Sequence, residues 1–118
     1  MDKIFISDLH LSDDQPNITS MFKSYLESLI RKNKDNLELY IIGDLFESWV
    51  GDDYETELHK EIKEALLELT SNNIKTYFMY GNRDFLIGDN FLKETGLILI
   101  SDPEILYYKN KKVLVAHG

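Results

Sequence analysis

Five side chains that could bind a metal follow short apolar runs of the sequence at regular intervals. They are two aspartates, two histidines and one asparagine, namely Asp8, His10, Asp44, Asn82 and His117. Successive groups stand about 35 residues apart, which is close to the length of one strand–helix–strand unit. Ligands of open α/β sheets bind at the edge where the carboxyl ends of the strands gather. The spacing therefore predicts that these side chains meet at one such edge.

The types of these side chains indicate a metal centre rather than a nucleophile–base triad. Imidazole nitrogens, carboxylates and an amide oxygen together suit manganese, iron or zinc. A carboxylate in the middle of such a set can bridge two ions. Asp44 has that middle position, and it follows Gly43 at the end of the apolar run 39–42. We therefore predict that Asp44 bridges two metal ions.

The elements that must position this set are strands and amphipathic helices. Four consecutive apolar residues at 39–42 are typical of a strand buried on both faces. Similar runs precede the other members of the set, at 3–7, 77–80 and 112–116. The last of these is predicted to form a hairpin with 104–108 that turns about Asn110 and Lys111.

Residues with helical periodicity separate the predicted strands. One helix opens at Pro16, and a second carries its apolar residues between 58 and 69. A short third helix is predicted to end at Gly96. His59 falls on the polar side of the second helix, so we predict a surface histidine there. The alternation of strands and helices predicts an α/β fold.

Composition and charge exclude several other classes of protein. At 118 residues with 43% hydrophobic content, the chain is globular and one domain at most. The net charge of −8 argues against nucleic-acid binding and against an electrostatic membrane anchor. The absence of cysteine excludes disulfides and thiolate metal sites, as expected in a reducing compartment. No signal peptide and no apolar run of about 18 residues is found, so we expect a cytoplasmic protein.

Each motif is weak alone, but their conjunction is specific. Asp-x-His or Gly-Asp after a strand is common by chance, and asparagine after glycine often serves only a tight turn. In order and in strand-end context, the motifs resemble the first four sequence blocks of the calcineurin-like metallophosphoesterases. The matching residues are Asp8-x-His10, Gly43-Asp44-x-x-Glu47, Gly81-Asn82-Arg83-Asp84 and His117-Gly118.

Longer segments narrow this resemblance. The segments 5–12, 42–49, 51–53 and 81–86 are similar to the bacterial UDP-2,3-diacylglucosamine hydrolase family of lipid A biosynthesis. The most diagnostic residue is Arg83, because most of the superfamily has a catalytic histidine after the asparagine. Its presence favours a nucleotide-sugar pyrophosphatase over a generic phosphomonoesterase.

The resemblance implies two divalent metal ions, expected to be Mn²⁺. Asp8 and His10 would hold one ion, Asn82 and His117 the other, and Asp44 both. Two cations that share a water can lower its pKa and direct it at phosphorus.

The resemblance further assigns catalysis to Asp44 and Arg83, and contact with the substrate to Asn82 and Arg83. Arg83 would stabilise charge on the phosphoryl oxygens, a role that suits a planar cation with five donors. Three other carboxylates are interpreted as structural or as orienting partners of the ligands, namely Glu47, Asp52 and Asp84.

The family pattern continues beyond residue 118 with a helical insertion that forms an acyl-chain pocket and with a Gly-His-x-His block. Neither is present in 1–118. We therefore expect a C-terminally incomplete domain, the amino-terminal part of an α-β-β-α sandwich. Such a segment should be inactive alone.

For the complete protein, the resemblance implies hydrolysis of the pyrophosphate of UDP-2,3-diacylglucosamine to UMP and 2,3-diacylglucosamine 1-phosphate. The lipid substrate would bring the enzyme to the cytoplasmic face of the inner membrane as a peripheral protein. The alternatives are another dinuclear-metal phosphodiesterase of the superfamily and an inactive truncated fragment.

Overall fold

The computed structural model of this chain describes residues 2–32, 37–47, 51, 56–81, 83 and 86–117. Strands and helices alternate first, and a hairpin follows. In chain order the elements are β1 (Asp2–Ile6), α1 (Pro16–Lys32), β2 (Leu37–Ile42), α2 (Glu57–Ser71), β3 (Lys75–Met79), α3 (Asp89–Thr95), β4 (Ile98–Leu99), β5 (Glu104–Tyr108) and β6 (Lys111–Val115). The predicted α/β class is confirmed.

The first four strands form a parallel sheet in the order β1-β2-β3-β4. Phe5 pairs with Tyr40, and Tyr40 pairs with Tyr77, so β1, β2 and β3 end side by side. Each connection passes through a helix, and connections that all step in one direction place their helices on one face of the sheet. One edge of the sheet therefore carries the loops that follow β1, β2 and β3.

The main core lies between the helices and one face of this sheet. Phe22 and Leu26 of α1 and Ile62 and Leu66 of α2 are buried in a single cluster with residues of the sheet. β2 is buried on both faces, as its unbroken apolar run predicts. Across the described residues, no helix has the length and apolar character needed to cross a bilayer.

The hairpin of β5 and β6 forms a separate two-stranded antiparallel sheet. Val115 of β6 is buried with Ile42 and Met79 on the face of the parallel sheet opposite the helices. Phe5 stacks on Tyr40 of that face and is 45% exposed. The hairpin also exposes large apolar side chains, namely Ile105, Tyr107 and Leu114. The two strands thus cover only part of the sheet face.

The hairpin turns one residue earlier than the sequence predicts. Lys109 and Asn110 both have positive φ angles, 51° and 65°. Two consecutive left-handed residues form the type I′ turn, whose twist matches that of the paired strands. Lys111, predicted as a turn residue, instead pairs with Tyr108 as the first residue of β6.

The interval between Asn82 and His117 contains more than the rest of one strand–helix–strand unit of the parallel sheet. α3, β4 and β5 lie between them, and His117 follows β6 in the second sheet. The short helix and the hairpin predicted for this stretch are both present, but the interval as a whole does not correspond to one strand–helix–strand unit, as its length had suggested. Interval length alone does not distinguish a helical crossover from a short helix followed by a hairpin.

His59 is buried, so the prediction of a surface histidine was wrong. The residue is 7% exposed and lies in the first turn of α2. Thr56 Oγ1 accepts the His59 main-chain N–H at 3.3 Å, and His59 Nδ1 accepts the Thr56 N–H at 3.4 Å. The imidazole also contacts Phe46 edge to face, with 5.2 Å between ring centroids. Helical periodicity places His59 on the polar face of α2. It does not show that the side chain turns back to accept a hydrogen bond from the start of the same helix.

Candidate metal centre

The loops that follow β1 and β2 stay paired beyond the ends of their strands. The Asp8 N–H donates to the Gly43 carbonyl at 3.2 Å, and the His10 N–H donates to the Asp44 carbonyl at 3.0 Å. Leu11 and Leu45 continue this pairing at 2.9 Å. These main-chain bonds hold Asp8, His10 and Asp44 together at one edge of the sheet.

The backbone is unusual at these three residues. Asp8, His10 and Asp44 have φ angles of 55°, 49° and 54°. Such left-handed conformations are uncommon outside glycine, cost about 1 to 3 kcal/mol each, and concentrate at functional sites. The three uncommon conformations thus fall on residues that the sequence singled out as candidate ligands.

Four of the predicted side chains meet at this edge. Asp8, Asp44 and His117 each offer a ligand atom, and these atoms lie within 4.8 Å of one another. Asp44 Oδ2 is 3.3 Å from His117 Nε2 and 3.8 Å from His10 Nε2. His10 Nε2 is also 3.7 Å from Asp8 Oδ1. A single oxygen of the buried Asp44 thus faces both imidazoles.

His117 is oriented by the main chain of β2. Its Nδ1 lies 3.0 Å from the Ile42 carbonyl, to which a protonated Nδ1 donates, and its Nε2 faces Asp44. The bond to Ile42 raises the pKa of His117; the nearby carboxylates of Asp44, Asp8 and Asp102 raise it further, against the opposing effect of burial. The hydrogen bond to Ile42 brings His117, which follows β6 of the hairpin, to the edge of the parallel sheet.

Asp44 is also fixed by the segment that follows β3. The main-chain N–H of Arg83 donates to Asp44 Oδ1 at 2.7 Å, whereas Oδ2 faces the imidazoles. At Gly81 a Cβ atom would lie 2.2 Å from the Asp44 nitrogen and 2.3 Å from Asp44 Oδ1. The close approach of the two segments therefore requires glycine at position 81.

The side chain of Arg83 contacts Glu47. It is 57% exposed, and its Nη1 lies 3.4 Å from Glu47 Oε1. Glu47 Oε2 lies 3.3 Å from His10 Nδ1, so this carboxylate stands between His10 and Arg83. The sequence interpretation of Glu47 as structural or orienting did not specify these two partners, although its place in the Gly43-Asp44-x-x-Glu47 motif was a signal.

Three residues that the sequence places at or beside the site lie outside the described residues, namely Asn82, Asp52 and Asp84. Buried His59 contacts Phe46, the residue that precedes Glu47, and it has no predicted role in the site. Its signal was the spacing Thr56-x-x-His59 at the start of α2, which resembles a capping box with histidine in place of glutamate.

The donors that meet at the edge fit a divalent cation. Two carboxylates and two imidazoles supply the oxygen and nitrogen ligands that first-row metals bind. Because the Nδ1 atoms of both histidines face oxygen acceptors, their Nε2 lone pairs are available toward Asp44. We therefore consider the edge a candidate metal centre.

The chain is similar to several curated bacterial proteins named UDP-2,3-diacylglucosamine hydrolase. It is 42% identical to one from Haemophilus influenzae strain PittGG over 97% of the chain and 47% of the relative. The identity is 45% to one from Photorhabdus laumondii, over 98% of the chain and 47% of the relative. The chain thus spans about half the length of the curated relatives it matches.

A solved structure supports the fold, and a sequence model of the family covers the whole chain. The structure is that of a protein of unknown function from Aquifex aeolicus, with a TM-score of 0.58 and 24% identity over 97% of this chain and 59% of that chain. The sequence model of the calcineurin-like phosphoesterase family matches residues 1–118. Members of this family use divalent metal ions. The resemblance predicted from the motifs is confirmed, and the chain belongs to the calcineurin-like phosphoesterase family.

Proposed function

We propose that residues 1–118 form the amino-terminal part of a metal-dependent hydrolase of UDP-2,3-diacylglucosamine. The complete enzyme would cleave the pyrophosphate to UMP and 2,3-diacylglucosamine 1-phosphate. The names of the relatives, at 40 to 45% identity, support this substrate. The observation that carries the proposal is the position of Asp44 Oδ2 between the Nε2 atoms of His10 and His117.

Asp8 and His10 would hold one divalent ion, Asn82 and His117 a second, and Asp44 both. We propose Mn²⁺ for both ions, since this ligand set suits it. Bound there, the ions would neutralise phosphoryl charge and lower the pKa of a nearby water. The role of the chain is to hold both imidazoles by Nδ1 and to keep one oxygen of Asp44 directed between them.

Arg83 would bind the substrate phosphates together with Asn82. A guanidinium has donors and no lone pair for a cation, so Arg83 does not serve as a metal ligand. Its exposed side chain starts next to Asp44, to which its own main chain is bonded. From that position it can stabilise negative charge on phosphoryl oxygens as the bond to phosphorus breaks.

The acylated substrate implies work at a membrane surface. We propose that the complete protein acts peripherally on the cytoplasmic face of the inner membrane, with the substrate and not nucleic acid as its partner. The net charge of −8 argues against nucleic acid as a partner and against an electrostatic membrane anchor within residues 1–118.

A hybrid enzyme tests the substrate. Residues 1–118 are joined to the remaining half of the Haemophilus influenzae relative, and release of UMP from UDP-2,3-diacylglucosamine is measured with added Mn²⁺. We expect turnover that the same hybrid with Asp44→Asn lacks. A folded, Mn²⁺-binding hybrid that hydrolyses bis(4-nitrophenyl) phosphate but leaves the lipid substrate intact would contradict the proposed substrate and favour another phosphodiesterase.

A further inference from the structure

Glu47 contacts two residues of the candidate metal centre through different oxygens. Its Oε2 lies 3.3 Å from His10 Nδ1, and its Oε1 lies 3.4 Å from Arg83 Nη1. The start of the side chain is fixed, because the Glu47 main-chain N–H donates to the Leu11 carbonyl at 2.9 Å and the preceding Phe46 is fully buried. The carboxylate is therefore held where it can contact both partners.

The two histidines of the centre are arranged alike. His117 has Nδ1 at 3.0 Å from the Ile42 carbonyl and Nε2 at 3.3 Å from Asp44. His10 has Nδ1 toward Glu47 and Nε2 toward Asp44 at 3.8 Å. An acceptor at Nδ1 keeps the proton on that nitrogen and leaves Nε2 free to ligate. For His117 the acceptor is the main chain and the contact is a hydrogen bond, whereas for His10 it is a carboxylate in ion-pair contact, which one substitution can remove.

We propose that Glu47 is a positioning residue that sets the metal-binding tautomer of His10 and, through its second oxygen, holds Arg83 beside the same centre. The inference rests on the proposed function, whose metal ligand and phosphate-binding cation Glu47 would connect. A carboxylate behind a ligating histidine orients the ring and increases its basicity, and its loss typically lowers metal affinity about 10- to 100-fold.

The contact between Glu47 and Arg83 depends on the negative charge of Glu47, whereas the contact with His10 needs only an acceptor oxygen at the same place. The main chain of Arg83 is fixed by its bond to Asp44, but its guanidinium is 57% exposed and can leave the site. A glutamine at position 47 keeps one acceptor oxygen for His10 and offers an uncharged amide to Arg83. Glu47→Gln should therefore preserve the effect on His10 and lose much of the hold on Arg83.

Metal affinity separates these effects. Binding of Mn²⁺ to the 118-residue chain is followed by the electron paramagnetic resonance of the free ion, which tolerates self-association of the protein. We expect Glu47→Ala to weaken binding at least about 10-fold and Glu47→Gln to recover most of it. Glu61→Ala is the matched control. The side chain of Glu61 is 49% exposed, close to the 46% of Glu47, and it pairs with Lys23 between α2 and α1. That control should bind like the unsubstituted chain.

A second readout needs no metal. In protein labelled with ¹⁵N-histidine, the ring nitrogen shifts of His10 should show a proton on Nδ1 in the unsubstituted chain and in Glu47→Gln, and a shift toward the other tautomer in Glu47→Ala. A merely structural role would not produce this pattern. In the hybrid enzyme, Glu47→Gln should keep its Mn²⁺ content and lose about 10-fold in turnover through Arg83.

The outcomes distinguish this inference from the proposed function. If the unsubstituted chain binds no Mn²⁺, the proposed metal centre fails and the role of Glu47 fails with it. If the chain binds Mn²⁺ and Glu47→Ala binds it within about two-fold with an unchanged His10 tautomer, the proposed centre stands and the role of Glu47 is overturned.

Discussion

Asp44 is the residue on which the centre depends, because its two carboxylate oxygens face different partners. Oδ1 accepts the main-chain N–H of Arg83 at 2.7 Å, so the orientation of the carboxylate is fixed by the fold. Oδ2 faces His117 and His10. With 5% exposure, the charge of Asp44 is mostly shielded from water, which strengthens its attraction for a cation.

Asp44→Asn in the hybrid enzyme should lower both Mn²⁺ affinity and UMP release by at least about 100-fold, because the anion proposed to bridge the two ions is lost. The side-chain shape is nearly unchanged, so the midpoint of thermal unfolding should stay close to that of the parent. Metal titration, the UMP assay and circular dichroism check the three expectations. Near-normal turnover by a folded variant would rule out the bridge.

Arg83→Ala should lower turnover about 100-fold or more, because the proposed donor to the phosphoryl oxygens is removed. Its Mn²⁺ content should be unchanged, since the bond to Asp44 comes from the main chain, which alanine retains. Turnover and bound metal are measured on the same sample. Arg83→Lys is the variant that keeps the positive charge but lacks the paired N–H donors of the planar guanidinium. Metal loss in parallel with activity would instead assign Arg83 a structural role.

At the scale of elements, the centre depends on three neighbouring strands that end at the same level. The register of β1, β2 and β3 aligns Phe5, Tyr40 and Tyr77, and the loops after β1 and β2 remain hydrogen-bonded past the last strand residues. The segment after β3 then approaches Asp44 so closely that only glycine fits at position 81. Site geometry is thus a property of the strand ends rather than of any single loop.

Gly81→Ala should therefore reduce Mn²⁺ affinity without contact to the metal, by about 10-fold or more as expected for the loss of ligand orientation. The added methyl group would overlap the nitrogen and Oδ1 of Asp44 and push its carboxylate from its position. Gly96→Ala is the control, because Gly96 ends α3 with a φ of 77° and meets Thr70 instead. The control should lower the unfolding midpoint and leave the Mn²⁺ affinity of the folded protein intact. Equal affinities for both variants would contradict the argument.

At the scale of the whole molecule, the chain has one well-covered sheet face and one that is partly covered. The helices enclose the main core, whereas the opposite face of the parallel sheet meets a hairpin of two strands. Phe5, Ile105, Tyr107 and Leu114 remain between 45% and 68% exposed as a result. Exposed apolar surface of this kind favours association with further protein.

The 118-residue chain by itself should self-associate and release no UMP, whereas the hybrid should be monodisperse and active. Light scattering against concentration and the UMP assay test this directly. Leu114→Lys with Ile105→Lys should reduce self-association, because both side chains lie outside the buried clusters of the described residues. A monomeric 118-residue chain that turns over substrate at the rate of the hybrid would contradict the prediction.

The local pattern of the sequence determined the elements and the candidate ligands. Continuous apolar runs indicated strands such as β2, and polar residues immediately after them indicated where a ligand set could form. These features depend on neighbours along the chain, which is why they could be inferred from residue order. The structure places Asp8, His10, Asp44 and His117 together, and their roles as ligands stay a prediction.

Only the tertiary structure decided through which contacts the distant residues meet. His117 reaches the centre from a second sheet through the Ile42 carbonyl, His59 folds into its own helix cap beside Phe46, and the carboxylate of Glu47 stands between His10 and Arg83. Residue spacing does not encode these contacts, because they depend on strand order, packing and side-chain direction in three dimensions. Sequence periodicity predicts which face of an element is apolar, and the contact that a polar side chain makes is determined only when the elements are assembled.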